Sequence, residues 1–234
     1  MNRAQKSPDH PRIQTRGIWI TGTDTGVGKT AVTAALARLC AGRGMRGAAL
    51  KPIVSGGEAD GTGADVEILR AASQPPRSIA ETNLYAFDPP LAPHWAARRA
   101  GVAVDRGRVA AFVRAQCEAV DHLLVEGAGG FLAPLGDGWG LAELAEDLRF
   151  PVLLVVGLRL GAINHALLSV EAIRARGLPF AGWVANTPNP VVAEGTLETL
   201  RQRLPAPCLG VLPHIPLWSA AILSPYLSLP ETGY

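Results

Sequence analysis

The sequence is poor in cysteine and contains no long apolar run. Its three cysteines, Cys40, Cys117 and Cys208, lie far apart and form no CxxC pair, which argues against a disulfide framework or a zinc site. No apolar segment reaches the roughly 18 residues needed to cross a membrane. We therefore expect a cytoplasmic protein with reduced thiols and no membrane partner.

The chain also lacks an excess of charge of one sign. Its 22 Lys and Arg against 20 Asp and Glu give a net charge of +2, so no broad basic surface predicts a nucleic-acid partner. Residues 1–16 are polar and lack the apolar core of a secretory signal, which predicts a flexible tail. Apolar residues make up 48% of the chain, a fraction that excludes a disordered protein and predicts one domain over residues 17–234.

Short apolar segments alternate with helix-like segments along the chain. The predicted strands are residues 18–21, 47–51, 122–125, 151–156, 180–185 and 208–212. The predicted helices are residues 31–40, 64–72, 105–120, 163–175 and 191–204, with a loop over 76–93 and a short helix from Pro93. Parallel strands need such crossover connections. We therefore expect an α/β fold, a single three-layer domain with helices flanking a mostly parallel sheet.

A glycine-rich segment, residues 22–30, joins the first predicted strand to the first helix. It reads Gly-Thr-Asp-Thr-Gly-Val-Gly-Lys-Thr, and its glycines let backbone N–H groups turn inward around phosphate oxygens. Lys29 is placed to reach the β- and γ-phosphates, and the Thr30 hydroxyl to ligate Mg²⁺. Gly22 stands six positions before Gly28, one more than in a standard P-loop. The segment nevertheless predicts nucleotide-phosphate binding.

Two absences narrow the class of P-loop protein. No Asn-Lys-x-Asp segment occurs, so the guanine-reading element of GTP switches is missing. Partitioning ATPases carry a signature lysine where this chain has Asp24. The sequence therefore argues against a nucleotide-switched scaffold or a partitioning ATPase.

Three further charged residues stand where ligands bind in parallel sheets. Lys51 ends the second strand, so it either faces the ligand crevice or is solvated. Asp65 lies at the start of a helix, where it either contacts a ligand or interacts favourably with the positive end of the helix dipole. Glu126 ends an apolar strand before a Gly-Ala-Gly-Gly segment, the position of the metal-shell carboxylate in ATPases.

Two asparagines and a histidine have alternative interpretations. Asn164 lies at a helix start whose free N–H groups could bind a carboxylate, or it caps that helix. Asn186 follows an apolar strand and either reads adenine through its amide or forms a turn with Pro188. His94 is interpreted as a structural histidine.

In combination, these segments resemble the dethiobiotin synthetase family of P-loop enzymes. The similarity extends from about residue 17 to residue 213. It rests on the motifs of residues 22–30, Lys-Pro-Ile-Val-Ser-Gly (51–56), Ala-Pro-His (92–94), Val-Glu-Gly-Ala-Gly-Gly (125–130), Leu-Gly-Ala-Ile-Asn-His-Ala-Leu-Leu (160–168) and Gly-Trp-Val-Ala-Asn (182–186).

The resemblance implies a reaction and its partners. The family carboxylates 7,8-diaminopelargonate with CO₂ and closes the ring to dethiobiotin in biotin biosynthesis, releasing ADP and phosphate. The reaction passes through a carbamate and a carbamic–phosphoric mixed anhydride. It uses ATP as co-substrate and Mg²⁺ as cofactor, and the family enzyme is a homodimer.

The resemblance also implies roles for individual residues. Lys51 is catalytic, and the Mg²⁺ ligands are Thr30, Asp65 and Glu126. The substrate contacts are Thr25, Ser55 and, from a second subunit, Gly161, Ala162, Ile163 and Asn164. The ATP contacts are Gly26, Val27, Gly28, Lys29, Thr30, Ala31, Asp65, Glu126, Gly127, Ala128, Gly129, Asn186, Thr187, Pro213, His214 and Ile215. No acidic residue occurs over 213–219 for the family's ribose contact.

A related amide-forming P-loop ligase, such as the synthetase part of a cobyrinate amidase, is the alternative enzyme. Such proteins usually carry a C-terminal glutaminase domain with a cysteine nucleophile. In a sequence of 234 residues we expect no such domain, so the ring-closing enzyme is the favoured interpretation.

Overall fold

The computed structural model describes residues 17–57 and 63–230, and the predicted tail, residues 1–16, lies outside them. Six strands form one sheet in which every neighbouring pair is parallel. In sheet order they are β10 (Cys208–Leu212), β9 (Phe180–Asn186), β8 (Val152–Gly157), β1 (Gly17–Gly22), β5 (His122–Gly130) and β2 (Gly47–Leu50). The predicted mostly parallel sheet is confirmed.

Helices cover both faces of this sheet. They are α1 (Lys29–Gly42), α2 (Ala64–Ala72), α3 (Ile79–Thr82), α4 (Pro93–Arg99), α5 (Arg106–Ala115), α6 (Leu141–Leu148), α7 (Ala162–Ala175), α8 (Thr196–Arg203) and α9 (Ala220–Leu223). Side chains alternate across the sheet, so Ile18 and Ile20 pack beneath α1 while Trp19 packs beneath α6. This arrangement gives the three layers that the sequence predicts.

The chain changes direction across the sheet at β1. Strands β5 and β2 lie on one side of β1, and β8, β9 and β10 follow on the other. Ligands of such sheets bind outside the carboxyl ends of the strands at this switch point. The phosphate loop, residues 22–30, leaves β1 there.

Residues 76–93 are more ordered than predicted. The predicted loop contains α3 and a strand, β4 (Tyr85–Phe87), which pairs in parallel with β3 (Ile53–Ser55). Ser78 caps α3, and the backbone N–H of Tyr85 donates to the Pro52 carbonyl at 2.9 Å. Elements of three or four residues held by distant partners leave no periodic pattern in the sequence, so the loop prediction was wrong.

Other predicted boundaries shift, and some elements were missed. The helix predicted over 105–120 ends at Ala115 before a 3₁₀ turn, and that predicted over 191–204 begins only at Thr196, after the left-handed Gly195. Helix α6 and the antiparallel pair β6 (Pro134–Gly136) and β7 (Trp139–Gly140) were not predicted. None of the helices in the described part of the chain is both long and apolar enough to span a membrane.

Candidate active site

The phosphate loop is held open by a glycine and tied to a neighbouring strand by an asparagine. Gly28 adopts a φ of 90°, and a Cβ at this position would collide with the side-chain amide of Asn186. Asn186 Nδ2 donates to the Val27 carbonyl at 2.8 Å. Asn186 therefore links β9 to the phosphate loop, a role that neither of its sequence interpretations includes.

A cavity of about 800 Å³ lies at the carboxyl ends of the strands. Most of the predicted site residues line it. They are Thr25, Gly26, Gly28, Lys29, Thr30, Ala31, Lys51, Ser55, Asp65, Glu126, Ala128, Gly129, Asn186, Thr187, Pro213, His214 and Ile215. The structure thus brings together segments that are far apart in sequence, while the roles of the individual residues stay predictions.

Strand register places Lys51 beside Glu126. Leu50 pairs with Val125 across β2 and β5, so the following residues are neighbours. Lys51 Nζ donates to Glu126 Oε1 at 2.9 Å and also pairs with the Asp65 carboxylate. Lys51 is 7% exposed and Glu126 is 1% exposed. The lysine therefore faces the crevice rather than solvent.

The surroundings keep Lys51 protonated. Burial by itself lowers the pKa of Lys51, but the charges of Glu126 and Asp65 outweigh it and hold the pKa above its ordinary value. Burial likewise opposes the charged form of Asp65, yet the pKa of Asp65 is lowered by Lys51 and by the Thr30 hydroxyl. The cluster is a buried cation held between two carboxylates.

Lys29 is about as buried as Lys51, but its pKa changes in the opposite direction. It is 6% exposed, and its Nζ donates to the Asp24 carbonyl at 3.0 Å. Burial lowers the pKa of Lys29, and the nearby charge of Lys51 adds to this effect, although Glu126 and Asp65 oppose it. A nearby anionic phosphate would oppose this effect and raise the pKa of Lys29.

Oxygen ligands suited to Mg²⁺ meet at the start of α1. The Thr30 hydroxyl donates to Glu126 Oε1 at 2.9 Å, and Glu126 Oε2 is buried without a hydrogen-bond partner in the described chain. Asp65 lies in the same cluster. Within residues 17–57 and 63–230, no group of three His, Cys, Asp or Glu is placed to hold a metal. The available donors are therefore a hydroxyl and two carboxylates, a hard set that fits Mg²⁺.

The comparisons with known proteins identify the family. An AAA domain family model matches residues 16–221. ATP-dependent dethiobiotin synthetase BioD of Aromatoleum aromaticum is 43% identical over 220 residues, which cover 92% of this chain and 98% of the relative. The same-named protein of Nitrosospira multiformis is 44% identical, covering 93% and 97%. The chain belongs to the ATP-dependent dethiobiotin synthetase family. The resemblance found in the sequence is thereby confirmed.

Solved structures support the fold of this dethiobiotin synthetase family member. The MinC:MinD cell division complex of Aquifex aeolicus matches with a TM-score of 0.56 at 17% identity, covering 86% of this chain and 82% of that chain. MinD of Pyrococcus furiosus gives 0.54 at 17% identity, covering 86% and 84%. These matches confirm the P-loop fold.

One predicted substrate segment lies outside the cavity of this family member. None of Gly161, Ala162, Ile163 and Asn164 contributes to the cavity lining that the described residues form. Gly161, with φ of 90°, is the N-cap of α7, and no side chain caps this helix. The interpretation of Asn164 as the cap was therefore wrong.

Sequence reasoning missed residues that support Lys51. Asn83 Nδ2 donates to the Lys51 carbonyl at 2.7 Å and to the Tyr85 carbonyl at 3.1 Å. The Lys51 N–H in turn donates to the Thr82 carbonyl at 2.9 Å. Trp218 also lines the cavity. The only sequence signal for Asn83 is an amide residue between short segments, which is too common to be informative.

Proposed function

We propose that this chain closes 7,8-diaminopelargonate and CO₂ to dethiobiotin at the expense of ATP. As a member of its family the chain is an ATP-dependent ligase. The observation that carries the specific reaction is the convergence of Lys29 and Lys51 on one cavity beside the phosphate loop. A reaction that transfers a phosphoryl group to a carboxylate-like oxygen needs this concentration of positive charge.

The proposed chemistry has three steps. One amine attacks CO₂: an N–C bond forms, one C=O π bond opens, and the amine releases a proton to water, which gives a carbamate. A carbamate oxygen then attacks the γ-phosphorus while the bond to ADP breaks, which gives a carbamic–phosphoric mixed anhydride. The second amine attacks the carbonyl carbon and forms the second N–C bond, the C–O bond to phosphate breaks and phosphate leaves, and the amine proton passes to water, which closes the cyclic urea.

The side chains act mainly by charge and position. Because the pKa of Lys51 is raised by its carboxylate partners, once the opposing effect of burial is overcome, we assign Lys51 to neutralising the carbamate and the transferring phosphoryl group rather than to taking up protons. Lys29 reaches the β- and γ-phosphates from the start of α1. Both lysines act in a buried site, where such charges are worth more than in water.

Magnesium would be held by Thr30, Asp65 and Glu126. When bound, Mg²⁺ supplies positive charge against the β- and γ-phosphate oxygens. Glu126 would serve two purposes in this proposal: Oε1 accepts from Lys51 and Thr30, while Oε2, which has no hydrogen-bond partner among the described residues, would be available to the metal.

A second copy of the chain would complete the substrate site. The residues implied to hold the distal carboxylate lie outside the chain's own cavity, at the start of α7. Leu160 directly precedes the N-cap of this helix and is 91% exposed, and Leu168 lies within the helix and is 56% exposed. Two exposed leucines beside a substrate segment support a homodimer. Sedimentation equilibrium would test this, and a monomer at assay concentrations would contradict it.

The decisive experiment measures ADP release and dethiobiotin formation. Purified protein is incubated with ATP, Mg²⁺ and bicarbonate, with and without 7,8-diaminopelargonate. We expect ADP release to depend on the diamine acid and to match dethiobiotin mole for mole. ADP release that is unaffected by the diamine acid would instead indicate a nucleotide-switched ATPase and contradict the proposal.

A further inference from the structure

Asp24, in the first half of the phosphate loop, makes polar contacts with three other residues. One carboxylate oxygen accepts from the Thr25 N–H at 2.7 Å, and the other pairs with the guanidinium of Arg159. The Asp24 carbonyl accepts from Lys29 Nζ at 3.0 Å. The Thr25 amide and then Arg159 lower the pKa of Asp24, which therefore stays ionised. Asp24 thus fixes the backbone that carries Thr25.

Arg159 belongs to a different part of the chain. It lies in the connection between β8 and α7, and its carbonyl accepts from the Ala162 N–H at 3.0 Å. Its backbone is therefore held by the first turn of α7 while its side chain holds the phosphate loop. Arg159 does not itself line the cavity, whereas Thr25 does.

We propose that Arg159 is a positioning residue that acts through Asp24 to hold Thr25 in place for the diamine acid. This inference rests on the proposed function, in which Thr25 contacts the diamine acid of its own subunit and the start of α7 contacts the diamine acid of the partner's site. Arg159 then links a substrate segment of one site to a substrate segment of the other. The nucleotide contacts from Gly28 onward follow a separate turn of the loop. The Lys29 Nζ bond links them to the Asp24 carbonyl but does not involve the carboxylate with which Arg159 pairs, so we expect them to change little when Arg159 is replaced.

A purely structural role is the simplest competing explanation. Ion pairs between half-exposed side chains stabilise folded proteins very little, and the Arg159 and Asp24 side chains are 44% and 45% exposed. The chain offers a matched control in Arg46, which pairs with Asp121 at 2.9 Å with side-chain exposures of 55% and 42%. Arg46 directly precedes β2 and Asp121 directly precedes β5. Both therefore lie at the amino-terminal ends of these strands, opposite the cavity.

The test compares Arg159→Ala, Arg159→Lys, Asp24→Asn and the double variant Asp24→Asn/Arg159→Ala with Arg46→Ala. For each, kcat and KM for 7,8-diaminopelargonate are measured together with the Kd of Mg-ADP by calorimetry. We expect Arg159→Ala to raise this KM about tenfold, the factor that corresponds to about 1.4 kcal/mol, with the Kd of ADP within about twofold. Arg159→Lys should recover part of the loss, and Arg46→Ala should match the unmodified enzyme.

Two results would overturn the proposal. One is an Arg159→Ala enzyme with unchanged KM, or with ADP affinity reduced as much as KM. The other is a double variant whose defect equals the product of the single defects, because residues that act as one unit are not additive. An unmodified chain that makes no dethiobiotin contradicts the proposed function instead, so the two failures are distinguishable.

Discussion

The two buried lysines of the cavity differ in where their counter-charges come from. Lys51 is balanced within the protein by Glu126 and Asp65, and its pKa is raised despite burial. Lys29 is just as buried, but burial and the charge of Lys51 prevail and its pKa is lowered. The charge of Lys51 is therefore balanced before any ligand binds, whereas we propose that the charge of Lys29 is balanced by an anionic ligand of the phosphate loop.

Breaking the Lys51 site should have the largest effect. Lys51→Ala removes a charge that we assign to the transition state, and we expect kcat to fall about 10²–10³-fold, as for other groups of this kind. The Kd of ADP should change by less than about threefold, because Lys29 and the loop amides are retained. Calorimetry and steady-state kinetics separate the two, and a parallel loss of ADP affinity and turnover would contradict the assignment.

Breaking the phosphate loop should weaken nucleotide binding instead. Gly28→Ala places a Cβ against the Asn186 amide in a left-handed conformation, which alone costs about 1–2 kcal/mol for a non-glycine residue. We expect ADP binding to weaken about thirtyfold. Gly26→Ala is the matched control, since Gly26 also has positive φ, 71°, but has open space around its Cβ position. Equal defects in the two variants would remove the steric explanation.

The residues that we propose as metal ligands lie between the two lysines, and their replacement should have an effect of intermediate size. Glu126→Gln keeps the shape of a buried side chain but removes its charge. We expect the Mg²⁺ concentration for half-maximal activity to rise about tenfold, as for other losses at metal sites. A Mg²⁺ titration of ADP formation measures this shift, and an unchanged midpoint would exclude Glu126 from the metal site.

The pH dependence of ADP binding would sharpen the comparison of the lysines. Because the folded pKa of Lys29 lies below 10.5 and a bound phosphate raises it, binding takes up protons. Affinity should then fall as pH rises through the folded pKa, by at most about tenfold per pH unit. Calorimetry between about pH 7 and 10 measures this fall, and Lys29→Arg should shift it to higher pH. An identical fall in that variant would assign the proton to another group.

The two regions also differ in how much the sequence revealed. The phosphate loop is contiguous, and glycine, lysine and threonine at fixed spacing have a direct physical meaning, so its position between β1 and α1 could be predicted. Lys51 was found at a strand end, but Asn83 and the short pair β3–β4 were not. Their hydrogen bonds join residues about thirty positions apart, and no local periodicity records such contacts.

The smallest predicted effect tests whether that unrecognised support matters. Asn83→Ala leaves the Lys51 and Tyr85 carbonyls without their buried donor, a change worth about 1–3 kcal/mol of stability. Because the Lys51 carbonyl loses the hydrogen bond from Asn83, we expect kcat to fall about threefold, a loss of about 0.6 kcal/mol. Ser78→Ala is the control. Ser78 is the N-cap of α3 and Asn83 is the C-cap of the same helix, but the Ser78 side chain bonds Glu81 and not Lys51. A thermal melt measures the loss of stability in both variants, and steady-state kinetics measures kcat. If the two variants lose kcat equally, Asn83 supports α3 rather than Lys51.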